Sequence, residues 1–271
     1  MATPKYAGVD LSYANSNVDY VKLAAGSLEG CRVKFAMLRF SYGCNKDKLF
    51  DKHYNGCKAA GLYVGAYHWL RAQTPAAAKA EAEWLVQQLG KYSIDYPVAL
   101  DFEDSDLFAL KLTKAQYTAI VAAFMSVLQA ANYYVILYTN PDTIQNRLNA
   151  DVLKRYDLWL AHWTTTPAAY GQTMWQYAAL GTAADVKAKR ATRVGTVQGA
   201  GGPCDVNWSY VGYAAKIKAA GKNCKKSQTN EPASVNSAVI ASKIVIKHDL
   251  QKITAQLKAL GFTVNSFELK K

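Results

Sequence analysis

Short apolar runs recur along the chain from its start to about residue 210, and the first of the gaps between them carry apolar positions at helical spacing. The runs at 6–10, 35–40, 62–69, 98–103, 134–138, 158–161 and 174–177 read as strands, and an eighth is expected between 194 and 205. Helices fill the first gaps. Thr74 and Pro75 open one as N-cap and first-turn proline, and Gly90 closes it after Leu89. Thr113 and Gln116 form a capping box for a helix through Gln129. Strands alternating with helices predict a parallel sheet with crossover connections, and eight strands in this length predict closure into a barrel. After the fifth strand the gaps are too short for full helices. The expected fold class is therefore α/β: an irregular TIM-like barrel of five β/α units followed by three strands, plus a small C-terminal α+β module.

The pattern sets the domain boundaries. The barrel is expected to occupy residues 1–215. A polar stretch at 216–234, containing Lys-Asn-Cys-Lys-Lys-Ser-Gln-Thr-Asn-Glu-Pro, reads as a linker. Beyond it, 242–247 predicts a strand. Leu250, Ile253, Leu257 and Leu260 lie at helical spacing before the C-cap candidate Gly261, and 262–269 predicts a second strand. A module of this size, 235–271, cannot bury a self-sufficient core. It is expected to pack on the barrel or on a second copy of itself, as a targeting or self-associating module.

Charge sharpens that expectation. The 271 residues carry a net charge of +12, and the last 56 hold 11 Lys against 3 acidic residues. Such an excess favours adhesion to a polyanion, whether nucleic acid, anionic lipid or an anionic cell-wall polymer, and charge alone does not choose among them. No stacking-aromatic motif of an RNA-binding kind accompanies it, so no nucleic-acid partner is expected. No apolar run reaches the length of a membrane span, so no membrane insertion is expected. The N-terminus, Met-Ala-Thr-Pro-Lys-Tyr, has no charged-then-apolar leader and is expected not to be a signal peptide. Five cysteines with no C-x-x-C pair, and four histidines without metal-ligand spacing, suggest reduced thiols and no metal. No cofactor is expected either.

The chemistry centres on Pro97-Val98-Ala99-Leu100-Asp101-Phe102-Glu103. Residues i and i+2 of a strand point the same way, about 6 to 7 Å apart. Two carboxylates so placed push their pKa values apart, one staying protonated while the other ionises, which is the equipment for cleaving a glycosidic bond. An isolated Asp-x-Glu is more often a solvated acidic loop. The other strand ends argue otherwise, since chemistry in a β/α barrel gathers at the C-terminal ends of strands. Those ends supply Asp10, Arg39 with Tyr42, Tyr67 and His68, Tyr138, Trp159 with His162, Trp175 with Gln176, and Asp205. Acids, aromatic faces and amide donors on one rim suit a sugar. Taken singly, Tyr67, Trp159 and Trp175 suit a core as well as a ligand, His68 and His162 suit structural roles, and Arg39 can simply neutralise the acids.

Six ordered motifs carry a resemblance. They are Gly8-Val9-Asp10-Leu11-Ser12, Gly65-Ala66-Tyr67-His68-Trp69, Leu100-Asp101-Phe102-Glu103, Leu158-Trp159-Leu160-Ala161, Met174-Trp175-Gln176-Tyr177 and Cys204-Asp205-Val206-Asn207. Residues 5–213 thereby resemble the family 25 glycoside hydrolases, lysozymes of the Chalaropsis type that include many bacteriophage endolysins. Trp69 stands where that family usually has Phe, which is expected to alter a wall and not the chemistry.

The resemblance implies a muramidase that cleaves the β-1,4 bond between N-acetylmuramic acid and N-acetylglucosamine of peptidoglycan with retained configuration. It implies Glu103 as general acid, Asp101 either as nucleophile or as the group orienting the substrate's 2-acetamido oxygen, and Asp10 and Asp205 as tuning acids. The substrate-assisted role of Asp101 is favoured by analogy with other glycosidases that place an acid two residues before the proton donor. The implied substrate-binding set is Arg39, Tyr67, His68, Tyr138, Trp159, Trp175 and Gln176. An endolysin made in the host cytoplasm and released onto the wall fits the absence of a leader. Two rivals remain: a non-catalytic wall-binding lectin on the same barrel, and a nucleic-acid-binding protein that uses the basic tail.

Overall fold

The structure is a computed structural model that describes residues 6–178 and 195–223. Among these residues eight strands close into a barrel: β1 (Tyr6–Leu11), β3 (Cys31–Tyr42), β5 (Tyr63–Trp69), β6 (Val98–Asp101), β7 (Val135–Thr139), β8 (Asp157–Ala161), β9 (Met174–Ala178) and β10 (Asp205–Ser209). Two short strands, β2 (Ser27–Leu28) and β4 (Asn45–Lys46), only extend β3 outside the closed ring. Helices follow the first five barrel strands. These are α1 (Tyr20–Ala25), α2 (Phe50–Ala59), α3 (Pro75–Leu89), the pair α4 (Ser105–Ala109) and α5 (Lys114–Ala130), and the short pair α6 (Pro141–Arg147) and α7 (Val152–Arg155). Five β/α units and then three strands is the expected order.

The caps that sequence predicts are in place. Thr74 accepts from the Ala77 amide at the start of α3, with Pro75 in the first turn. Thr113 and Gln116 exchange both bonds of the capping box at the start of α5. Each such cap stabilises its helix by roughly 1 kcal/mol, enough to fix where the chain leaves the strand layer.

Two strand expectations need correction. The last strand starts at Asp205 instead of ending there, and it runs antiparallel to both neighbours, β1 and β9. The fourth strand ends at Asp101, not Glu103. The reversal of β10 has a direct effect on the rim: its first residue lies at the same end of the barrel as the last residues of the parallel strands.

Alternation along each strand sorts side chains into two layers. Phe35, Met37, Ala99, Ile136, Tyr138, Trp159 and Met174 fill the barrel interior, together with Tyr96 and Tyr213. Ala36, Leu38, Phe40, Val64, Leu100, Leu137, Tyr177 and Trp208 pack outward in the main core, under the helices. The interior is crowded enough to dictate two glycines. A Cβ on Gly8 would lie 2.4 Å from the Phe35 ring, and one on Gly65 would lie 2.3 Å from the Met37 sulfur.

Residues 216–223, which sequence assigned to the linker, lie within the described region. Helix α8 (Tyr213–Ala219) buries Tyr213 and Ile217, and the Asn223 side chain accepts from the Tyr134 amide and donates to the Tyr96 carbonyl. The rest of the expected linker and the 235–271 module lie outside the described residues.

Candidate active site

At the rim where the parallel strands end, a cleft of about 140 Å³ is lined by Asp10, Ser12, Arg39, Tyr67, Trp69, Asp101, Glu103, Tyr138, Trp159, Gln176 and Asp205. Parity explains the membership. Residues 99, 101 and 103 continue one inward face, because the Phe102 amide still donates to the Tyr138 carbonyl at 3.0 Å after the strand has ended. Tyr67 and Gln176 point inward on β5 and β9. Their neighbours His68 and Trp175 must therefore point out.

They do, which corrects the expectation that both bind substrate. His68 is fully buried outside the barrel, its Nδ1 2.7 Å from Ser41 Oγ, its Nε2 2.6 Å from Glu81 Oε1, and its ring 4.9 Å from that of Phe124. Trp175 packs in the outer core and donates to the His162 carbonyl. Both are structural.

The other expected residues come together. Asp10 is buried, and its Oδ2 accepts from Asn207 Nδ2 at 2.7 Å and from Gln176 Nε2 at 3.0 Å. Its partner across the β1–β10 ladder is Asp205. Burial first, and then the Asp205 charge and a hydrogen bond shared with it, hold the Asp10 carboxyl well above the ordinary range. Asp101 is 2% exposed, and its buried Oδ1 has no hydrogen-bond partner among the described residues. Burial and the charges of Glu103 and Asp10 raise its pKa, while the Arg39 guanidinium opposes them. Glu103 is pushed up to about 7, by burial first and by Asp205 second. A carboxyl at that value is protonated in about half the molecules at neutral pH and can give the proton up.

The aromatic side of the cleft is rigid. Tyr67 and Tyr138 meet the Trp159 indole edge to face, with centroids 6.0 and 4.6 Å away. Trp159 donates to Asn207 Oδ1 at 2.7 Å, and Tyr138 donates to Gln176 Oε1 at 3.0 Å. Burial lifts the phenols of Tyr67 and Tyr138 well above their usual range, so both stay neutral donors. Arg39 is held by Asp47 through Nε and Nη2, each 2.8 Å from Oδ2, and stacks over Tyr13 at 4.4 Å.

Sequence reasoning missed two participants, Asn207 and Trp163. Asn207 ties the Trp159 indole to Asp10, and its position two residues after Asp205 on one strand face was the available signal. Trp163, 40% exposed, donates to Gln176 Oε1 at 2.9 Å. It lies on a loop, where no periodicity marks it. Trp69, expected in a wall, does line the cleft and also donates to Asp104. Among the described residues no three His, Cys, Asp or Glu side chains are grouped to hold a metal ion.

The comparisons with known proteins agree with this geometry. The family model described as Glycosyl hydrolases family 25 matches residues 9–186. Lysozyme M1 of Streptomyces globisporus is 27% identical over 231 residues, 80% of this chain and 71% of that protein. The autolytic lysozyme of Clostridium acetobutylicum is 29% identical over 156 residues, which span 58% of this chain and 44% of its own length. Among solved structures, the CTP1L endolysin has a TM-score of 0.60 at 26% identity, covering 79% of this chain and 70% of that one. A family 25 glycosyl hydrolase from Bacillus anthracis, at 20% identity, shares the fold with a TM-score of 0.61 over 80% of this chain and 94% of its own. With more than half of its length under that family model, the chain belongs to glycosyl hydrolase family 25 and is a glycoside hydrolase of the lysozyme type.

Proposed function

We propose that this glycoside hydrolase is an N-acetylmuramidase that cuts the β-1,4 bond between N-acetylmuramic acid and N-acetylglucosamine with retained configuration. The observation that carries the reading is the pair on one inward face: Glu103 pushed up to about 7 beside Asp101, whose buried oxygen lacks a partner among the described residues. Glu103 protonates the leaving glycosidic oxygen and, once ionised, takes a proton from the attacking water. Asp101 accepts the N–H of the substrate's 2-acetamido group through its unpartnered oxygen and turns that group's carbonyl oxygen toward the anomeric carbon. Asp205 supplies the charge that, with burial, keeps a proton on Glu103; Asp10 anchors Gln176 and Asn207, and Tyr67, Tyr138, Trp159 and Gln176 form the wall against the sugar. The relatives named lysozyme and endolysin support peptidoglycan as the substrate.

The proposed setting is lysis of a bacterial host: synthesis in the cytoplasm, release, and attack on the wall. The 235–271 segment is proposed to add wall targeting and self-association, given its 6 Lys against 2 acidic residues. Purified walls decide the reading. Turbidity should fall and new reducing ends should appear at muramic acid. Wall binding without new reducing ends would instead favour the lectin, and salt-sensitive DNA binding without lysis would favour the nucleic-acid reading.

A further inference from the structure

Asp104 directly follows the acid Glu103 and is itself 3% exposed. Its Oδ1 accepts from the Leu107 amide at 2.9 Å, capping α4. Its Oδ2 accepts from two side chains at the end of the neighbouring strand, Trp69 Nε1 at 3.0 Å and Arg71 Nη1 at 2.8 Å. The main chain on the other side of Glu103 is pinned as well. Leu70 donates to the Asp101 carbonyl at 3.1 Å, and Thr139 Oγ1 donates to the Phe102 carbonyl at 2.9 Å. The Glu103 carboxyl, in contrast, makes no hydrogen bond to a described residue. Its place in the cleft is set by its neighbours in sequence.

We propose that Asp104 is the positioning residue of the general acid, clamping the loop after β6 to the Trp69 indole and the Arg71 guanidinium so that Glu103 is held inside the cleft. Trp69 then serves the chemistry as well as the wall. The idea rests on the reading of Glu103 as acid. If the clamp opens, Glu103 meets water and loses the burial that raises its pKa. The other charged and titratable groups that share its cleft are Asp101, Tyr138, Asp205, Asp10, Arg39 and Tyr67, and the test leaves all of them in place.

Asp104→Asn keeps an oxygen for the α4 cap but turns an amide donor toward two donors. Assayed on soluble glycan fragments, it should lower kcat by about tenfold to a hundredfold with KM within about threefold. The alkaline limb of its pH profile should move to lower pH by about one unit. Trp69→Phe keeps a ring in the wall and removes the indole N–H; it should lower kcat by about threefold to tenfold. The double variant should fall no further than about twofold below Asp104→Asn, because the Trp69 bond is already lost in Asp104→Asn. A kcat within about threefold of the parent for folded Asp104→Asn, a loss confined to KM, or an unmoved alkaline limb overturns the proposal. Where Asp104→Asn does not fold, Trp69→Phe decides by the same limb shift and kcat loss, and their absence overturns it. Glu103→Gln run in parallel separates the two ideas. Activity there sinks the acid assignment itself, whereas its loss beside an unaffected Asp104→Asn sinks only the positioning role.

Discussion

Asp205 faces Asp10 in register across the antiparallel pair of β1 and β10, although the two are separated by nearly the whole barrel in sequence. The reversed last strand makes this meeting. A parallel β10 would have put its first residue at the opposite end, away from the acids of β1 and β6. Because the Asp205 charge helps raise both Asp10 and Glu103, it acts as a shared source of repulsion that keeps protons in the cleft.

Asp205→Asn should therefore shift the alkaline limb of kcat/KM to lower pH by about half a unit to one unit, since Glu103 loses its second cause of elevation and keeps the first. A pH–rate profile on soluble fragments checks this. An unmoved limb would show that the two carboxyls are not coupled.

Glu103→Gln should leave wall lysis at about a thousandth of the parent or less, because an amide cannot donate the proton. It should also change stability in one pH window only. The Glu103 carboxyl moves from the ordinary 4.5 to about 7 on folding, so between those values the folded protein holds a proton that the unfolded chain has lost. Stability from this group falls as pH rises through that window. The full shift corresponds to at most about 3 kcal/mol, and less here because Glu103 is partly exposed to the cleft. The variant should thus match the parent near pH 4 and exceed it at pH 8 in urea melts.

His68→Ala should destabilise the fold by about 2 to 4 kcal/mol, because Ser41 and Glu81 lose their common partner in a dry layer. Trp175→Phe should cost about 1 kcal/mol through its bond to the His162 carbonyl. For both, the enzyme that remains folded should keep KM within about twofold of the parent. A selective rise in KM for either would return it to the substrate site.

What could be read from sequence here followed from period and caps. Thr113 with Gln116 and Thr74 with Pro75 are local devices, and each holds where it is found. Strand parity was legible too: the inward places of Tyr67 and Gln176 already send His68 and Trp175 outward. Reading both members of each pair as rim residues ignored that constraint. The direction of β10 was not legible, since an isolated strand of five residues carries no mark of which way its neighbours run. Trp163 was hidden for a related reason, as a loop residue whose contact with Gln176 depends on tertiary placement.

The role of Asp101 turns on its empty acceptor. A nucleophile needs a clear path from carboxylate oxygen to the anomeric carbon and becomes a sugar ester during turnover. An orienting group needs an acetamido N–H to complete its hydrogen bonding and stays uncapped. The buried Oδ1 without a partner suits the second role, because substrate binding would then satisfy an atom that otherwise costs roughly 1 to 3 kcal/mol to bury. Asp101→Asn should lose about a hundredfold or more in kcat, and glycans whose 2-acetamido group is replaced by hydroxyl should not turn over even with the parent enzyme. Mass spectrometry of the enzyme quenched during turnover is the decisive measurement. Unmodified protein is expected, and a sugar ester on the peptide carrying Asp101 would establish the nucleophilic role instead.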